Sequence, residues 1–343
     1  MALYLQLKDN LLKKIIEGTY AIGETMPTEH ELCEEYKLSR VTVRKALEEL
    51  KKDGLIAGVP RQGTIVTRRK GGFRSSLDLI ALVAAVQDPF FVAFMEHFER
   101  TAEENGSLML FKQDFQGRAY QSDDLFYRFI QKEIRNVVMW PCTPQIDFDL
   151  FRRLRSVGMN FVLFDQPFVT NDADVVCLDN GHAVATLYAH MRRSFAGEIV
   201  FVGYDGPELP SGTEREEAYL AANGGAGRIR NIPRNNETDR EVAQLLGQLE
   251  QEGALPAGIL CNSGGIGLAA AKYVRERGLA GVPVATIDYM PEMDAFDIAA
   301  YDQPMRLMAE KTYQRLIAQN NQGTSWKADT YRLQGELIVC GGG

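Results

Sequence analysis

The sequence has few of the residues that build covalent or metal-bound frameworks. Its 343 residues include only five cysteines and four histidines. The cysteines are odd in number, widely scattered and without a C-x-x-C pair, which indicates free thiols in a reducing cytosol and neither disulfides nor a zinc site. His182 and His190 share one predicted helix, but no third ligand accompanies them. We therefore predict no metal site and no cofactor.

Long hydrophobic runs and a secretory signal are also missing from the sequence. The longest apolar run, Leu79–Val86, is too short to cross a bilayer. The N-terminal residues alternate polar and apolar side chains and include Asp9, which does not fit a signal peptide. We expect a soluble cytoplasmic protein that makes no contact with a membrane.

Signatures of catalysis are equally scarce. The sequence has no G-x-S-x-G motif, and its histidines lack a matching serine or cysteine context for nucleophilic catalysis. The glycines that begin at Gly264 follow a predicted strand, but their spacing does not fit the dinucleotide fingerprint G-x-G-x-x-G. We therefore do not expect an enzyme. A cytoplasmic α/β enzyme or a sugar-binding protein with an accessory DNA-binding head is the alternative interpretation.

Charge is present but unevenly distributed. Residues 1–74 hold 14 Lys/Arg against 10 Asp/Glu, a net of +4, whereas the remainder holds 24 against 36, a net of −12. The chain is long enough for a small and a large domain. A basic head on an acidic body is typical of a nucleic-acid-binding module joined to another domain.

The basic head has the pattern of three helices and a β-hairpin. Thr28 and Glu31 form a capping box at the start of the second helix, and Ser39 caps the third. Two helices separated by a tight turn form a helix-turn-helix unit. The predicted elements are helices at Leu5–Glu17, after Thr28, and at Arg40–Asp53, and strands at Leu55–Val59 and Thr64–Val66.

The third predicted helix opens with the groups that read DNA. Arg40 and Arg44 can each donate a bidentate pair to guanine, while hydroxyls such as those of Ser39 and Thr42 can bind phosphate. The hairpin tip carries Arg61, Gly63 and Thr64, as suits a wing that lies on the DNA backbone or in the minor groove. The same pattern also fits an ordinary three-helix subdomain whose arginines form a solvated face.

The motifs PTEHEL, SRVTVRKAL and RQGTIV resemble the winged helix-turn-helix of the GntR family. The resemblance covers about the first 66 residues and implies that double-stranded operator DNA is a partner. His30 stands where many members of the family carry Arg, so a phosphate contact at this position is expected to be weaker. The candidate DNA-binding residues are Thr28, His30, Ser39, Arg40, Thr42, Arg44, Arg61, Gly63 and Thr64.

The body follows a basic linker at residues 68–76 and extends from residue 77 to residue 343. Apolar strands alternate there with amphipathic helices, which predicts parallel sheets covered on both faces. The number of strand–helix units is larger than a single Rossmann-type sheet usually holds, so we predict two α/β lobes. With the head at residues 1–67, the fold class is multidomain: a small α+β winged helix-turn-helix plus a two-lobed α/β domain.

Several polar groups follow predicted strands of the body, where ligands of open α/β sheets bind. They are Asp165, Asn262 and Asp288, while Gln303 precedes the last helix. An aromatic pair, Phe90 and Phe91, follows the first strand and could stack on a ligand or pack in the core. Carboxylates, amides and aromatic faces suit a polyol. Helix capping is an equally good account of any one polar group.

The stretches LIALVAAVQDPFF, FVLFDQPF, VPVATIDYMP and AYDQP resemble the effector domain of the LacI/GalR family, which has the periplasmic-binding-protein fold. The resemblance implies ligand contacts from Phe90, Phe91, Asp165, Asn262, Asp288 and Gln303. Two positions depart from the family pattern. Ser263 stands where many members have Asp, and Thr213 stands where many have a ligand-binding Arg, so Arg215 or Glu214 is a candidate substitute.

Together the two resemblances predict a ligand-responsive transcription regulator. We expect a homodimer, held through the effector domains, that binds a near-palindromic operator. A small polar metabolite, expected to be a sugar, would close the two lobes and relieve repression.

Overall fold

The computed structural model describes residues 2–67, 77–85, 89–114, 124–194, 196–206, 209–279 and 281–341. Two units follow one another along the chain: a head of three helices and a two-stranded hairpin, and a body with two six-stranded sheets. The predicted linker at residues 68–76 lies outside the described residues. No helix in the described ranges is long and apolar enough to cross a membrane.

The head forms because each helix carries one apolar stripe and a local start signal. Val43, Ala46, Leu47 and Leu50 of the third helix are buried, and the Ser39 side chain accepts a hydrogen bond from the Thr42 backbone N–H at its start. The hairpin strands are antiparallel, with Val59 opposite Gly63. The elements are α1 (Leu3–Ile16), α2 (Glu29–Tyr36), α3 (Arg40–Lys52), β1 (Ile56–Val59) and β2 (Gly63–Val66).

The first lobe, called the N-lobe, has an all-parallel sheet in the order β13-β7-β6-β5-β3-β4. Strands β6 and β7 are buried along their whole length, as expected for a parallel sheet covered on both faces. Its elements are β3 (Leu79–Ala84), α4 (Pro89–Glu104), β4 (Leu108–Gln113), α5 (Asp124–Gln131), β5 (Asn136–Trp140), α6 (Phe148–Ser156), β6 (Asn160–Phe164), β7 (Asp174–Leu178), α11 (Met305–Gln322) and β13 (Thr330–Leu333).

The second lobe, called the C-lobe, has the sheet order β14-β12-β11-β10-β8-β9, in which β14 alone is antiparallel to its neighbour. Its elements are α7 (Asn180–Ser194), β8 (Ile199–Asp205), α8 (Pro210–Ala222), β9 (Arg228–Pro233), α9 (Thr238–Gln251), β10 (Gly258–Cys261), α10 (Gly264–Glu276), β11 (Val284–Ile287), a short 3-10 helix (Pro291–Ala295), β12 (Ile298–Asp302) and β14 (Glu336–Cys340).

The chain passes between the two lobes at three places, after β7, after β12 and after β13. Sequence pattern correctly predicts a two-lobed α/β body with parallel sheets, but it does not predict strands β9, β12 and β13. Strands β9 and β13 lie at sheet edges with mostly half-buried or exposed residues, and β12 contains two alanines, which favour strands poorly.

Candidate functional site: a DNA-reading helix and an interlobe cleft

Helix α3 presents cationic side chains to solvent along its outer side. Arg40 is exposed, and the Arg44 side chain has an exposed fraction of 64%. The opposite side of the helix is fully buried, with Val43 and Leu50 at 0%. The two guanidinium groups that the sequence assigns to base contacts are therefore accessible to a ligand as large as duplex DNA.

The first turn of α3 is organised by a pair of hydroxyls. Ser39 Oγ lies 2.9 Å from Thr42 Oγ1 and accepts a hydrogen bond from the Thr42 backbone N–H at 3.3 Å. Both residues lie at the helix N-terminus, where unpaired backbone N–H groups and the helix dipole favour a phosphate. The hydroxyls and the helix end thus point to one anion-binding position beside the arginines.

Arg44 is held by an ion pair that joins the two helices of the motif. Its Nη2 lies 3.2 Å from Glu29 Oε2, at the first residue of α2. The Glu29 carboxylate raises the pKa of Arg44 further above its already high ordinary value. The ion pair is exposed and orients the Arg44 side chain across the surface between α2 and α3.

Thr28 and His30 lie at the start of α2, with different surroundings. The Thr28 hydroxyl donates to Glu31 Oε2 at 2.8 Å, and the Thr28 backbone N–H donates to the same oxygen at 2.7 Å. These bonds lower the pKa of Glu31 and complete the predicted capping box. The exposed His30 ring lies 3.9 Å from the Glu34 carboxylate.

The wing is a tight hairpin whose tip requires unusual backbone angles. Arg61 has a φ of +65° and Gly63 a φ of +86°. Glycine adopts such angles without strain, which accounts for its place at the tip. Arg61 is exposed and Thr64 is half-buried. An antiparallel bridge between Thr25 and Ile65 fixes the wing to the loop before α2.

Two aspartates end corresponding strands of the two lobes in the same conformation. Asp165 follows β6 with a φ of +67°, and Asp288 follows β11 with a φ of +70°. Asp288 Oδ1 accepts a hydrogen bond from Gln303 Nε2. Left-handed backbone is uncommon outside glycine, and such positions cluster at binding sites.

Three of the predicted ligand residues, Phe90, Asp288 and Gln303, line one cavity of about 210 Å³. The cavity lies between the start of α4 in the N-lobe and the strand ends of the C-lobe. Gln303 is buried, and its Oε1 has no hydrogen-bond partner within the described part of the chain. The other lining residues are Ala93, Gly264, Gly265, Tyr289, Met290, Pro291, Glu292, Asp302 and Met305.

The aromatic pair divides between the cavity and the core. Phe91 is fully buried and stacks on Trp140, with ring centroids 5.1 Å apart. Phe90 is half-buried, lines the cavity and stacks on Phe164 at 6.1 Å. The geometry therefore favours Phe90 as the aromatic surface that meets a ligand, and Phe91 as its support.

Asp165 belongs to a hydrogen-bond network that joins the lobes. Its Oδ2 accepts hydrogen bonds from Trp140 Nε1 at 3.0 Å and from Gln166 Nε2 at 2.7 Å. Gln166 Oε1 in turn accepts from the Ser211 hydroxyl at 3.0 Å, at the start of α8 in the C-lobe. This network spans the cleft between the N-lobe and the C-lobe.

Arg215 and Asn262 are buried next to each other. Arg215 Nη1 donates to the Asn262 backbone oxygen, and Arg215 Nε donates to Asn180 Oδ1, both at 2.8 Å. Neither Arg215 nor Asn262 is among the residues that line the cavity. The guanidinium thus ties α8 to the ends of β7 and β10. Thr213, one turn into α8, is half-buried.

Sequence reasoning does not single out Val41 or several of the residues that line the cavity, Asp302 among them. Val41 of α3 has an exposed fraction of 78%, although its place between Arg40 and Thr42 in the motif is a signal that could have revealed it. Asp302 lines the cavity at the end of β12, a strand that was not predicted. Burial, with Glu336 nearby, raises the pKa of Asp302. The described residues contain no cluster of three metal-ligating side chains.

Comparison with curated proteins finds named transcriptional repressors. The arabinose metabolism transcriptional repressor of Geobacillus stearothermophilus is 26% identical over 225 residues, which are 64% of this chain and 60% of the relative. The probable fructoselysine utilization operon transcriptional repressor of Escherichia coli K12 is 41% identical over 68 residues, 20% of this chain and 28% of the relative. The chain thus matches less than two thirds of either relative's length.

Solved structures share the fold of the body. The Cra transcriptional dual regulator of Pseudomonas putida, in complex with fructose 1-phosphate, superimposes with a TM-score of 0.65 at 17% identity, over 76% of this chain and 98% of that one. The regulator CelR in complex with cellobiose has a TM-score of 0.64 at 15% identity, over 93% of this chain and 100% of that one. At these identities the likeness shows the fold alone.

Two family matches divide the chain as the structure does. Residues 3–66 match the bacterial regulatory proteins of the gntR family, and residues 80–328 match the periplasmic binding protein domain. The second match covers well over half of the chain. The protein therefore belongs to the periplasmic binding protein domain family and carries a gntR-type winged helix-turn-helix in front of that domain.

Proposed function

We propose that the protein is a ligand-responsive transcription regulator that represses its target by binding operator DNA. The observation that carries the proposal is the exposed outer side of α3, where Arg40 and Arg44 stand free of the core. Such a helix can enter the major groove and donate to base edges. The relatives named above are repressors, which supports the sign of regulation. Its site of action is the cytoplasm, where operator DNA is found.

The proposed DNA contacts divide into three groups. Arg40 and Arg44 read base edges, while Ser39 and Thr42 bind phosphate at the N-terminus of α3. The wing residues Arg61, Gly63 and Thr64 lie along the DNA backbone or minor groove. Thr28 and His30, at the start of α2, contact a neighbouring phosphate.

The active species is a homodimer joined through its effector domains, so that two copies of α3 meet a near-palindromic operator. Strand β4 supports this assignment because it is the outermost strand of the N-lobe sheet among the residues that the structure describes. Leu108 and Leu110 on β4 have exposed fractions of 69% and 40%. A second copy that covers this strand would bury both side chains and would satisfy the outer edge of β4.

The effector is a small sugar or related polyol that binds in the interlobe cleft. Its aromatic contact is Phe90, and Gln303 Oε1 offers an acceptor to a ligand hydroxyl. The cavity carries the carboxylates of Asp288, Glu292 and Asp302, and none of the lining residues that the structure describes is Lys, Arg or His. An acceptor-rich lining favours a neutral polyol over a phosphorylated sugar. Phe91, Asp165, Asn262 and Arg215 support these contacts from the surrounding shell.

Effector binding acts through the relative position of the lobes. The Gln166–Ser211 contact spans the cleft, and closure of the lobes around a ligand would reset it. A shift of this kind at the dimer contact changes the spacing of the two heads. Ligand affinity and DNA affinity are then coupled reciprocally, by about 1–3 kcal/mol in typical systems.

A gel-shift titration with the full chain tests the proposal. Random duplexes are first subjected to rounds of selection for binding, and the enriched sequences are then titrated at several salt concentrations. If the protein is a regulator, the selection should enrich a two-fold symmetric sequence. The affinity for that sequence should fall steeply as the salt concentration rises, because phosphate contacts release counterions. Failure to enrich any sequence at low ionic strength would refute the proposed function.

A further inference from the structure

Val41 is a large apolar side chain that α3 directs into solvent. Its exposed fraction is 78%, whereas Val43 and Leu50 of the same helix are at 0%. At about 100° per residue, Val41 lies on the side of α3 opposite the buried stripe. An exposed valine contributes no core packing and is a poorer helix former than alanine. The stability of the head therefore gives no reason for a valine at this position.

The neighbours of Val41 are the groups that the proposed function assigns to DNA. Arg40 precedes it directly, and Arg44 follows one turn later. Lys45, the other cation of this turn, places its Nζ 4.0 Å from the centre of the Tyr4 ring, back toward α1. Arg40 and Arg44 are four residues apart and share one row of the helix, so Val41 is an apolar group beside two exposed guanidinium groups.

Apolar groups have one specific partner in the major groove of DNA. Thymine alone of the four bases presents a C5-methyl group there, and apolar side chains contact it. The phosphate backbone is charged and hydrated, so it offers no comparable gain for a branched hydrocarbon side chain. The chemistry of Val41 therefore fits a thymine and does not fit a backbone contact.

We propose that Val41 is a specificity-determining residue that packs against the C5-methyl group of a thymine next to the base pair read by Arg40. This inference rests on the proposed function. It extends that function because it adds an apolar base contact to the polar contacts that the other residues of the motif make. The operator should accordingly hold a required thymine at a fixed position in each half-site.

Replacement of thymine by deoxyuridine tests the inference directly. The exchange removes the methyl group and keeps every hydrogen-bonding group of the base. Each thymine in one half-site of the selected operator is replaced in turn, and the full chain is titrated against each duplex. One replacement should weaken binding about fourfold, the value expected when one buried methyl-sized group is lost. The other replacements should have little effect.

A matched set of variants assigns the methyl contact to Val41. Val41→Ala should bind the thymine and uracil operators equally, so the fourfold difference disappears in the double-mutant cycle. The variant keeps its fold because the side chain is exposed and alanine favours a helix. Val41→Thr, which keeps one of the two γ-methyl groups of valine, should retain part of the difference. Val169→Ala, at an exposed valine of the effector domain, should keep all of it.

The failures of the two proposals are distinguishable. If an operator is bound but every uracil replacement is silent, the thymine contact is refuted while the regulator function stands. The same holds if Val41→Ala still distinguishes thymine from uracil. If the chain enriches no operator, the proposed function fails and this inference fails with it.

Discussion

Arg153 Nε donates a hydrogen bond to the backbone oxygen of Ile16 at 2.8 Å, and this bond joins the two units of the protein. Ile16 is the last residue of α1 in the head, whereas Arg153 lies in α6 of the N-lobe. A cation at a helix C-terminus satisfies a carbonyl that has no partner in the helix. The Tyr127 hydroxyl adds a second bond, 3.0 Å, to the Asp9 backbone oxygen. The head is therefore packed on the N-lobe as well as connected to it along the chain.

Arg153→Ala should uncouple the unfolding of the head from that of the N-lobe. Buried residues of the head and the N-lobe form one continuous hydrophobic cluster, so the intact protein should unfold the two together. Loss of the bond to Ile16 should cost about 1 kcal/mol, since the Arg153 side chain is partly exposed. Differential scanning calorimetry of the variant should show a separate head transition at a lower temperature.

Arg152→Ala is the matched control for this experiment. The partners of Arg152 are Asp149 and Asp172, both within the N-lobe. The control should leave the head and the N-lobe in one transition. Equal separation of the two transitions in both variants would show that the Arg153–Ile16 contact does not hold the head in place.

Arg40→Ala should weaken specific operator binding by about 1–3 kcal/mol if the guanidinium reads a base. The affinity for random duplex should fall much less, because non-specific binding depends on phosphate contacts. Gel-shift titrations against both duplexes measure the ratio. Arg240→Ala, at an exposed arginine of α9, should leave both affinities unchanged. Equal losses on the two duplexes would assign Arg40 to the backbone instead.

The capping box of α2 should make the stability of the head depend on pH. Bonds from Thr28 lower the pKa of Glu31 in the folded protein, so the folded state binds a proton more weakly than the unfolded state. The stabilisation is therefore present above the ordinary carboxyl pKa and is lost as the pH falls through the lowered value. At neutral pH the melting temperature of wild type should exceed that of Glu31→Gln, and this difference should disappear between about pH 5 and pH 3.

Thr28→Ala separates the contribution of the Thr28 hydroxyl from that of the Glu31 charge. It removes the N-cap bond and should cost about 1 kcal/mol at neutral pH. The Thr28 backbone N–H still donates to Glu31 in this variant, so part of the pH dependence should persist. A constant difference between wild type and Glu31→Gln over the whole range would contradict the assigned cause.

Local signals explain why the head was predictable from sequence. The caps at Thr28 and Ser39 and the apolar stripe of α3 act within a few residues, and the structure shows each of them in place. The two-lobed body was predictable for a similar reason, since long buried strands give continuous apolar runs. Edge strands such as β9 (Arg228–Pro233) carry no such run, because most of their side chains are exposed or half-buried.

The candidate cleft was predictable only in part, because long-range packing decides which side chains line it. The start of the last predicted helix indicated Gln303 and the end of a predicted strand indicated Asp288, and both residues line the cavity. The same rule indicated Asn262, which the structure instead pairs with Arg215 through a contact 47 residues apart in sequence. Glu292 reaches the cavity from a short 3-10 helix that has no pattern in the sequence.

Asp288→Ala should abolish effector binding and leave operator binding intact. Asp288 lines the cavity and accepts a hydrogen bond from Gln303 Nε2, so its loss removes one acceptor and releases the Gln303 amide from this bond. In a thermal-shift screen, a neutral sugar that binds the folded protein should stabilise wild type by about 2.7 kcal/mol when its concentration is 100 times its Kd. Sugar phosphates should give no shift, because the Asp288, Glu292 and Asp302 carboxylates repel them.

Arg215→Ala serves as a contrast, since loss of its buried hydrogen bonds should lower the melting temperature without any ligand. A phosphorylated sugar that stabilises wild type but not Asp288→Ala would overturn the neutral-polyol assignment, and an unchanged shift in Asp288→Ala would place the effector elsewhere.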